Sequence, residues 1–379
     1  MKKTTTLLGA CAALCGGGAF AQSAGASNGV AIYGLLDVGI EHVTGVGAEG
    51  RSLNRMPAAT NIAPSRLGFR GTEDLGNGLK AFFTLEQGIV PSTGALGQGG
   101  RAFGRQALVG ISGPFGSIAL GRQYTMTFWS GLSADIHGGG IYGTGSLDSY
   151  LPNARADNAL SWRHTLAGGL SLGATYSLGR DAVNAGPSPA GTNCPGQSAG
   201  DSKACREWSV MVKYDTPVWG VALANDRLHG RPVGAAPDAV FGGLDGSGKS
   251  DNRLTVNGWA KFGDVKLGGG LIRRANDGSP ARPDSDLWHL GASVPVSASL
   301  TLSAQAAALR HKNASGFNAT LLSLRATQAL SQRSALYAQI GHIRNGASSA
   351  VALSGGSPGS TPAAGASQTG LNLGIRMSF

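Results

Sequence analysis

Apolar and polar residues alternate along the last eleven positions of the chain. One face of this segment holds Thr369, Leu371, Leu373, Ile375, Met377 and Phe379. The other face holds Gly370, Asn372, Gly374, Arg376 and Ser378. Because successive side chains of a strand point to opposite faces, this period of two predicts a β-strand with one apolar face and one polar face.

The same alternation recurs through the rest of the chain. It predicts sixteen strands at about 30–42, 65–74, 79–89, 102–112, 116–124, 158–166, 170–177, 208–215, 219–227, 253–262, 265–273, 288–294, 299–310, 318–330, 335–344 and 369–379. Fifteen links follow, of which seven are short, such as 263–264, and eight are longer and rich in Gly, Pro, Ser and Asn. Short turns at one end and long loops at the other are typical of a transmembrane β-barrel. Sixteen strands enclose a lumen that is wide enough for water.

Composition and charge narrow the class of protein. The 379 residues include 62 Gly, 41% are hydrophobic and 14% are charged. This content excludes a disordered chain and a helix bundle. Lys2 and Lys3, an apolar stretch and Ala19-Phe20-Ala21 predict a signal peptide over residues 1–21, which leaves residues 22–379 as one barrel domain. After residue 21 no uncharged stretch suits a lipid-spanning helix. A soluble secreted protein and a closed barrel therefore remain.

Several local motifs resemble one family. They are the run from Arg66 to Ala81, the segments Phe103–Ala107 and Gly121–Tyr124, the opening Val30–Gly34 and the terminal Phe379. Together they resemble the trimeric general-diffusion porins of Gram-negative bacteria, in particular the betaproteobacterial type. The resemblance implies an all-β fold, a 16-stranded antiparallel barrel with long external loops and short periplasmic turns. It also implies a homotrimer in the outer membrane that passes ions and small hydrophilic solutes.

The resemblance further implies a pore constriction. It places Arg66, Arg105 and Arg163 in an arginine cluster, opposite carboxylates on the third long loop. Periodicity alone puts Arg66 and Arg163 on the water face, whereas it puts Arg105 on the lipid face with Ala107. The loop lacks the family's Pro-Glu-Phe-Gly-Gly element, so Asp135 is the acid assigned here, and a solvated loop carboxylate is the alternative.

Other charged residues share the polar phase of the predicted strands. Those assigned to the pore lining are Asp37, Arg70, Lys80, Glu86, Lys213, Arg253 and Lys261. Removal of residues 1–21 leaves 29 Lys+Arg against 21 Asp+Glu, a net charge of about +8 from the total of +10. A local excess of arginine at a narrow point attracts anions. The expectation is a weakly anion-selective pore.

The remaining candidates concern stability, assembly and rival functions. Cys194 and Cys205 lie in one long link and are expected to form a disulfide in an oxidising compartment, with free thiols as the alternative. The terminal Phe379 resembles the signal that the outer-membrane insertion machinery reads. Basic loops suit the phosphates of lipopolysaccharide. The His and Ser patterns predict no catalytic site, cofactor, metal or nucleic-acid partner. A secreted or surface all-β adhesin without a pore is the rival function.

Overall fold

The computed structural model describes residues 29–57, 61–179, 194, 198–231, 244–278, 284–355 and 359–379. Its strands are β1 Gly29–Val46, β2 Arg51–Arg55, β3 Arg66–Gly76, β4 Leu79–Val90, β5 Ala95–Leu96, β6 Gln106–Gly113, β7 Gly116–Tyr124, β8 Arg155–Thr165, β9 Leu170–Ser177, β10 Glu207–Asp215, β11 Trp219–His229, β12 Ser250–Phe262, β13 Val265–Asn276, β14 Asp284–Pro295, β15 Leu300–His311, β16 Ala319–Ala329, β17 Ser334–Asn345 and β18 Gln368–Ser378. Its helices are α1 Met126–Gly131 and the 3₁₀ turns Gln98–Gly100, Thr144–Ser146, Leu151–Asn153 and Ser315–Phe317. The predicted signal peptide, residues 1–21, lies outside the described residues.

The strands form one closed antiparallel barrel. Each wall strand pairs with its neighbours, and β1 pairs with β18 from Leu35↔Ser378 to Val43↔Gly370, which closes the sheet. The two short strands β2 and β5 belong to loops, so sixteen strands make the wall, as the alternation predicts. Closure leaves no strand edge unpaired, which a barrel in lipid requires. None of the helices in the described ranges has the length and hydropathy to cross a membrane.

Side-chain exposure follows the predicted alternation. On β18, Leu371, Leu373 and Ile375 are 43%, 50% and 49% exposed, whereas Asn372 between them is fully buried. The apolar side chains therefore point outward from the barrel, and the polar side chains point inward. This arrangement is the reverse of a soluble sandwich, whose apolar face is buried between its sheets.

The turns and loops also fall on the predicted sides. The short β3–β4 turn contains Asn77 and Gly78, both with positive φ (52° and 78°), which suits a two-residue hairpin. Both chain ends of the barrel, Gly29 and Ser378, lie on the side of the short turns.

Several strand boundaries differ from the prediction by three residues or more, among them the starts of three strands and the end of β1 at Val46. Strand β6 begins at Gln106 rather than near 102, β8 begins at Arg155 rather than 158, and β14 begins at Asp284 rather than 288. In β8 a register shift opposite Gly121–Gln123 and a positive φ at Asn158 interrupt the alternation. Because such a bulge interrupts the alternation, a strict period of two does not predict the residues of β8 that precede it.

Candidate functional site

The third long loop, residues 125–154 and here named L3, lies inside the barrel. Its helix α1 begins against β10, where the Met126 amide donates to Ser209 Oγ at 2.7 Å. The loop then reaches β15, where the His137 amide donates to Gln305 Oε1 at 2.7 Å. At β1, the Tyr142 hydroxyl donates to Glu41 Oε1 at 3.0 Å. L3 therefore covers the inner wall from β9 around to β18 and β1.

Glycines in the wall make room for L3. The Ala134 carbonyl occupies the space that a Cβ on Gly268 of β13 would need, and Gly341 of β17 faces the Tyr142 ring. A Cβ on Gly341 would lie 2.7 Å from Tyr142 Cγ, which is closer than two carbon atoms tolerate. The loop could not pack this closely against larger residues.

The acids of L3 hold the loop in place. Asp148 contacts Arg253 Nε at 3.3 Å, and Arg253 also pairs with Asp251 at 3.2 Å. Asp135 accepts hydrogen bonds from the Gly138 amide at 2.9 Å and from Thr144 Oγ1 at 2.5 Å, both inside L3. The structure therefore does not bring Asp135, the expected constriction acid, to the arginine cluster. Asp135, which stands where the family has a glutamate, instead stabilises the conformation of L3 through these two hydrogen bonds.

His137 forms a second anchor of L3. Its ring nitrogens lie 2.7 Å from Ser323 Oγ and 2.9 Å from Ser303 Oγ. Burial, and then the nearby positive charge of Arg325, lowers the pKa of His137 from its ordinary value to about 2. The imidazole in this position is therefore neutral at physiological pH.

The inner wall that L3 leaves open carries arginines. Arg105 Nε donates to Glu86 Oε1 at 2.7 Å, and Arg66 Nε lies 3.6 Å from Glu86 Oε2. The Tyr33 hydroxyl also donates to Glu86, at 3.0 Å. Two of the predicted arginines, Arg66 and Arg105, thus contact the same acid, Glu86. The alternation of the sequence predicts that Glu86 faces the lumen, but it does not predict this contact.

Arg155 and Tyr124 extend this group and were not predicted. The Tyr124 hydroxyl accepts from Arg105 Nη2 at 2.7 Å and from Arg155 Nη2 at 2.8 Å. Both side chains are almost completely buried. Arg155 precedes the bulge of β8, and Tyr124 is the last residue of β7, so strand phase carries no signal for either. Arg66, Glu86, Arg105, Tyr124 and Arg155 are called the arginine cluster below.

Arg105 lies beside Arg66, as the resemblance implies and against the strand phase, whereas Arg163 is separate from both. Arg105 lies just before β6, outside the strand, so the phase that put it on the lipid face does not apply to it. Arg163 lies on the lumen face of β8, but its guanidinium stacks over the Trp129 ring of L3 at 4.0 Å. It has no contact with the cluster among the described residues.

The other predicted lining residues are spread over both parts of the wall. Asp37 accepts from the Tyr337 hydroxyl at 2.6 Å and from the Ala63 amide at 2.7 Å. Arg70 lies 5.3 Å from the Tyr33 ring centroid. Lys213 pairs with Asp215 at 3.0 Å. Arg253 is buried beneath L3, whereas Lys80 and Lys261 are exposed at the short-turn end of β4 and β12.

Two further predicted features lie away from the lumen. Cys194 and Cys205 are joined by a disulfide, with their Cα atoms 5.2 Å apart. The Phe379 amide donates to the Gly34 carbonyl at 3.1 Å, and the Gly34 amide donates back at 3.0 Å. Phe379 therefore extends the β1–β18 pairing by one residue at the barrel seam.

Comparison with known proteins agrees with this geometry. A sequence model of the Gram-negative porins matches residues 10–348. Outer membrane porin protein 32 of Delftia acidovorans is 30% identical over the full length of both chains, and an outer membrane porin of Bordetella pertussis is 30% identical over 79% of this chain and 74% of its own. The anion-selective porin from Comamonas acidovorans superposes with a TM-score of 0.73 at 26% identity, covering 93% of this chain and 100% of that chain. These matches favour a channel over a secreted adhesin. A closed barrel of sixteen strands with a loop folded into its lumen, matched along nearly its whole length, identifies this chain as a member of the Gram-negative porin family, an outer-membrane channel for small solutes.

Proposed function

We propose that this porin is a weakly anion-selective homotrimer whose narrowest point lies between L3 and the open wall of β3–β8. The observation that carries the proposal is the charge of that wall. Arg66, Arg105, Arg155 and Arg163 lie along that wall, and Glu86, which pairs with Arg66 and Arg105, is the one carboxylate paired with any of the four among the described residues. Between low-dielectric walls an excess of one sign concentrates the opposite ion.

The constriction proposed here differs from the sequence-based set in its acid and in one added arginine. Arg66, Arg105 and Arg163 keep their proposed roles, and Arg155 joins them. Glu86, rather than Asp135, is the acid that tempers the positive field, because Asp135 is hydrogen-bonded within L3. The porin from Comamonas acidovorans is described as anion-selective, which supports the same sign of selectivity.

A planar-bilayer recording of the purified protein tests this function. We expect stepwise, ohmic conductance. In a KCl gradient, the sign of the zero-current potential should show that chloride is more permeant than potassium. The preference should fade as salt rises, because the screening length falls to a few ångströms near 1 M. A cation preference would contradict the proposal, and a complete lack of conductance would favour the adhesin.

Outward-facing arginines suggest a lipid partner. Arg273 of β13, Arg310 of β15 and Arg344 of β17 lie near the loop ends of their strands and are exposed. Asp286 pairs with Arg273 at 2.9 Å, and Asp284, on the same face of β14, also acts electrostatically on Arg273. We infer that the row binds lipopolysaccharide phosphates. Loss of copurifying lipopolysaccharide in Arg310→Ala plus Arg344→Ala is expected, and unchanged retention would contradict it.

Phe379 is the proposed signal for insertion. Its ring lies over Gly34 and is 47% exposed on the outer face, where a recognition protein can reach it before the seam closes. Deletion of Phe379 is expected to leave monomer in the periplasm. Normal yield of trimer at normal expression would contradict this role.

A further inference from the structure

Three aromatic rings and four cations make close contacts along the inner wall between β7 and β13. Arg155 lies 4.5 Å from the Tyr124 ring centroid, and Arg163 lies 4.0 Å from that of Trp129. Lys266 and Lys261 lie 5.4 Å and 5.8 Å from the Trp259 ring. All are within the range of a cation–π contact. We call this series the aromatic–cation track.

The rings of the track belong to the lumen. Trp129 is part of α1, which lies against the inside of β9–β12. Trp259 shares the strand face of Asn257, whose amide donates to Ser130 of L3 at 3.1 Å. The outward-facing indoles, such as Trp288 at 52% exposure, serve the membrane interface. Trp129 and Trp259 cannot serve it, because they point the other way.

The rings are also incompletely covered. Phe128, Trp129 and Trp259 are each only partly buried, so part of each ring surface faces the lumen. Phe128 stacks on Tyr124 at 3.7 Å and meets Trp129 edge-on at 5.7 Å, which joins the first two pairs into a continuous surface. A filter for hydrated inorganic ions needs charge alone and gains nothing from apolar rings in its path.

Arg163 offers a carboxylate clamp at the centre of the track. A guanidinium that stacks on a ring uses its face and leaves its N–H edge available for a bidentate carboxylate. Among the described residues no acid lies within ion-pair distance of Arg163. Arg163 therefore stacks on an aromatic ring and has no carboxylate partner among the described residues.

We propose that the aromatic–cation track binds small aromatic carboxylates, of the benzoate class, during their passage through the pore. This inference rests on the proposed anion permeability and adds a substrate class to it. The carboxylate pairs with Arg163 while the arene lies against the exposed edges of Trp129 and Phe128. Lys266 and Trp259 provide a second binding site of the same kind, nearer the short-turn end of the barrel. The Trp259 indole is fixed there by its bond to Asp215 Oδ1 at 2.9 Å.

The test compares two acids of the same charge and similar size. Benzoate is planar and aromatic, whereas cyclohexanecarboxylate is neither, so only the ring contact differs. Each acid is added to the purified porin in a planar bilayer, and the concentration that halves the KCl current is measured. Benzoate should act at a concentration threefold to tenfold lower, roughly the range given by one or two aromatic contacts.

Variants assign the effect to the track. Trp129→Leu should remove most of the difference between the two acids, whereas Trp288→Leu, which changes an outward indole, should keep it. If Trp129→Leu does not assemble, Trp259→Leu is expected to reduce the difference. Equal potency of the two acids in an anion-selective wild type would overturn this inference alone. An unchanged benzoate advantage in both track variants would also overturn it, while cation selectivity would overturn the proposed function as well.

Discussion

The two parts of the inner wall use charge in opposite ways. Between L3 and the wall, Asp148, Asp251, Arg253 and Arg274 form a network of two acids and two bases. On the open wall, two of the four arginines of the proposed constriction pair with one carboxylate, Glu86, and the other two lie against aromatic rings. Balanced pairs of buried charges fix geometry, whereas an excess of one sign of charge on a wall creates a field in the lumen beside it. The comparison shows that Asp148 and Asp135 of L3 are used within the protein, which is why the proposed selectivity is assigned to the wall opposite.

Glu86→Gln should have the largest effect, because it removes the only acid of the arginine cluster. Arg66 and Arg105 would then lack this counter-charge in a buried site, and breaking such a pair costs about 3–5 kcal/mol. The barrel should unfold at a lower temperature on semi-native gels, and its anion preference should rise. Glu49→Gln is the matched control, since its pair with Arg51 is 70–79% exposed and worth about 0–1 kcal/mol. Equal heat stability of the two variants would contradict this account of the cluster.

Gly341→Val acts on the other part of the wall. Its side chain would collide with Tyr142, and overpacking of this kind costs about 1–3 kcal/mol. L3 should move away from β17 into the lumen, so larger sugars should enter porin-containing liposomes more slowly in a swelling assay, while ion selectivity stays the same. Gly248→Val, at a position with open space around it, should change neither property. A change of selectivity without a change of size limit would show that L3 contributes to the field.

Acid should loosen L3 through His137. The seated imidazole has a pKa of about 2, whereas a released loop would return it to about 6.5. Above pH 6.5 both states are neutral and the anchor is at full strength. Below about pH 6.5 only the released loop binds the proton, so the anchor weakens by about 1.4 kcal/mol per pH unit.

The size limit of the pore is the readout for this anchor. In the wild type it should increase between about pH 6.5 and pH 5. His137→Asn keeps hydrogen-bonding groups near Ser303 and Ser323 but does not titrate in this range. Its size limit should therefore be independent of pH. Parallel pH profiles of the two proteins would exclude His137 as the sensor.

Sequence predicted the barrel well because lipid imposes period two on every strand. The outward row of β18, with Leu371 and Leu373, needs no tertiary information to be recognised. The cluster was predicted only in part, because Arg105, Tyr124 and Arg155 lie at strand ends or beside a bulge, where phase is lost. The surroundings of Asp135 could not be predicted, because the path of L3 depends on close approaches to residues such as Gly268, which no local pattern encodes.

The zero-current potential of Arg66→Ala plus Arg105→Ala, in the same KCl gradient as the wild type, tests the central claim most directly. The outward-facing Arg273→Ala serves as a control with the same loss of side chain. We predict that the wild type and Arg273→Ala favour chloride, and that the double variant shifts measurably toward potassium. A double variant whose potential equals that of the wild type would contradict the assignment of selectivity to the arginine cluster.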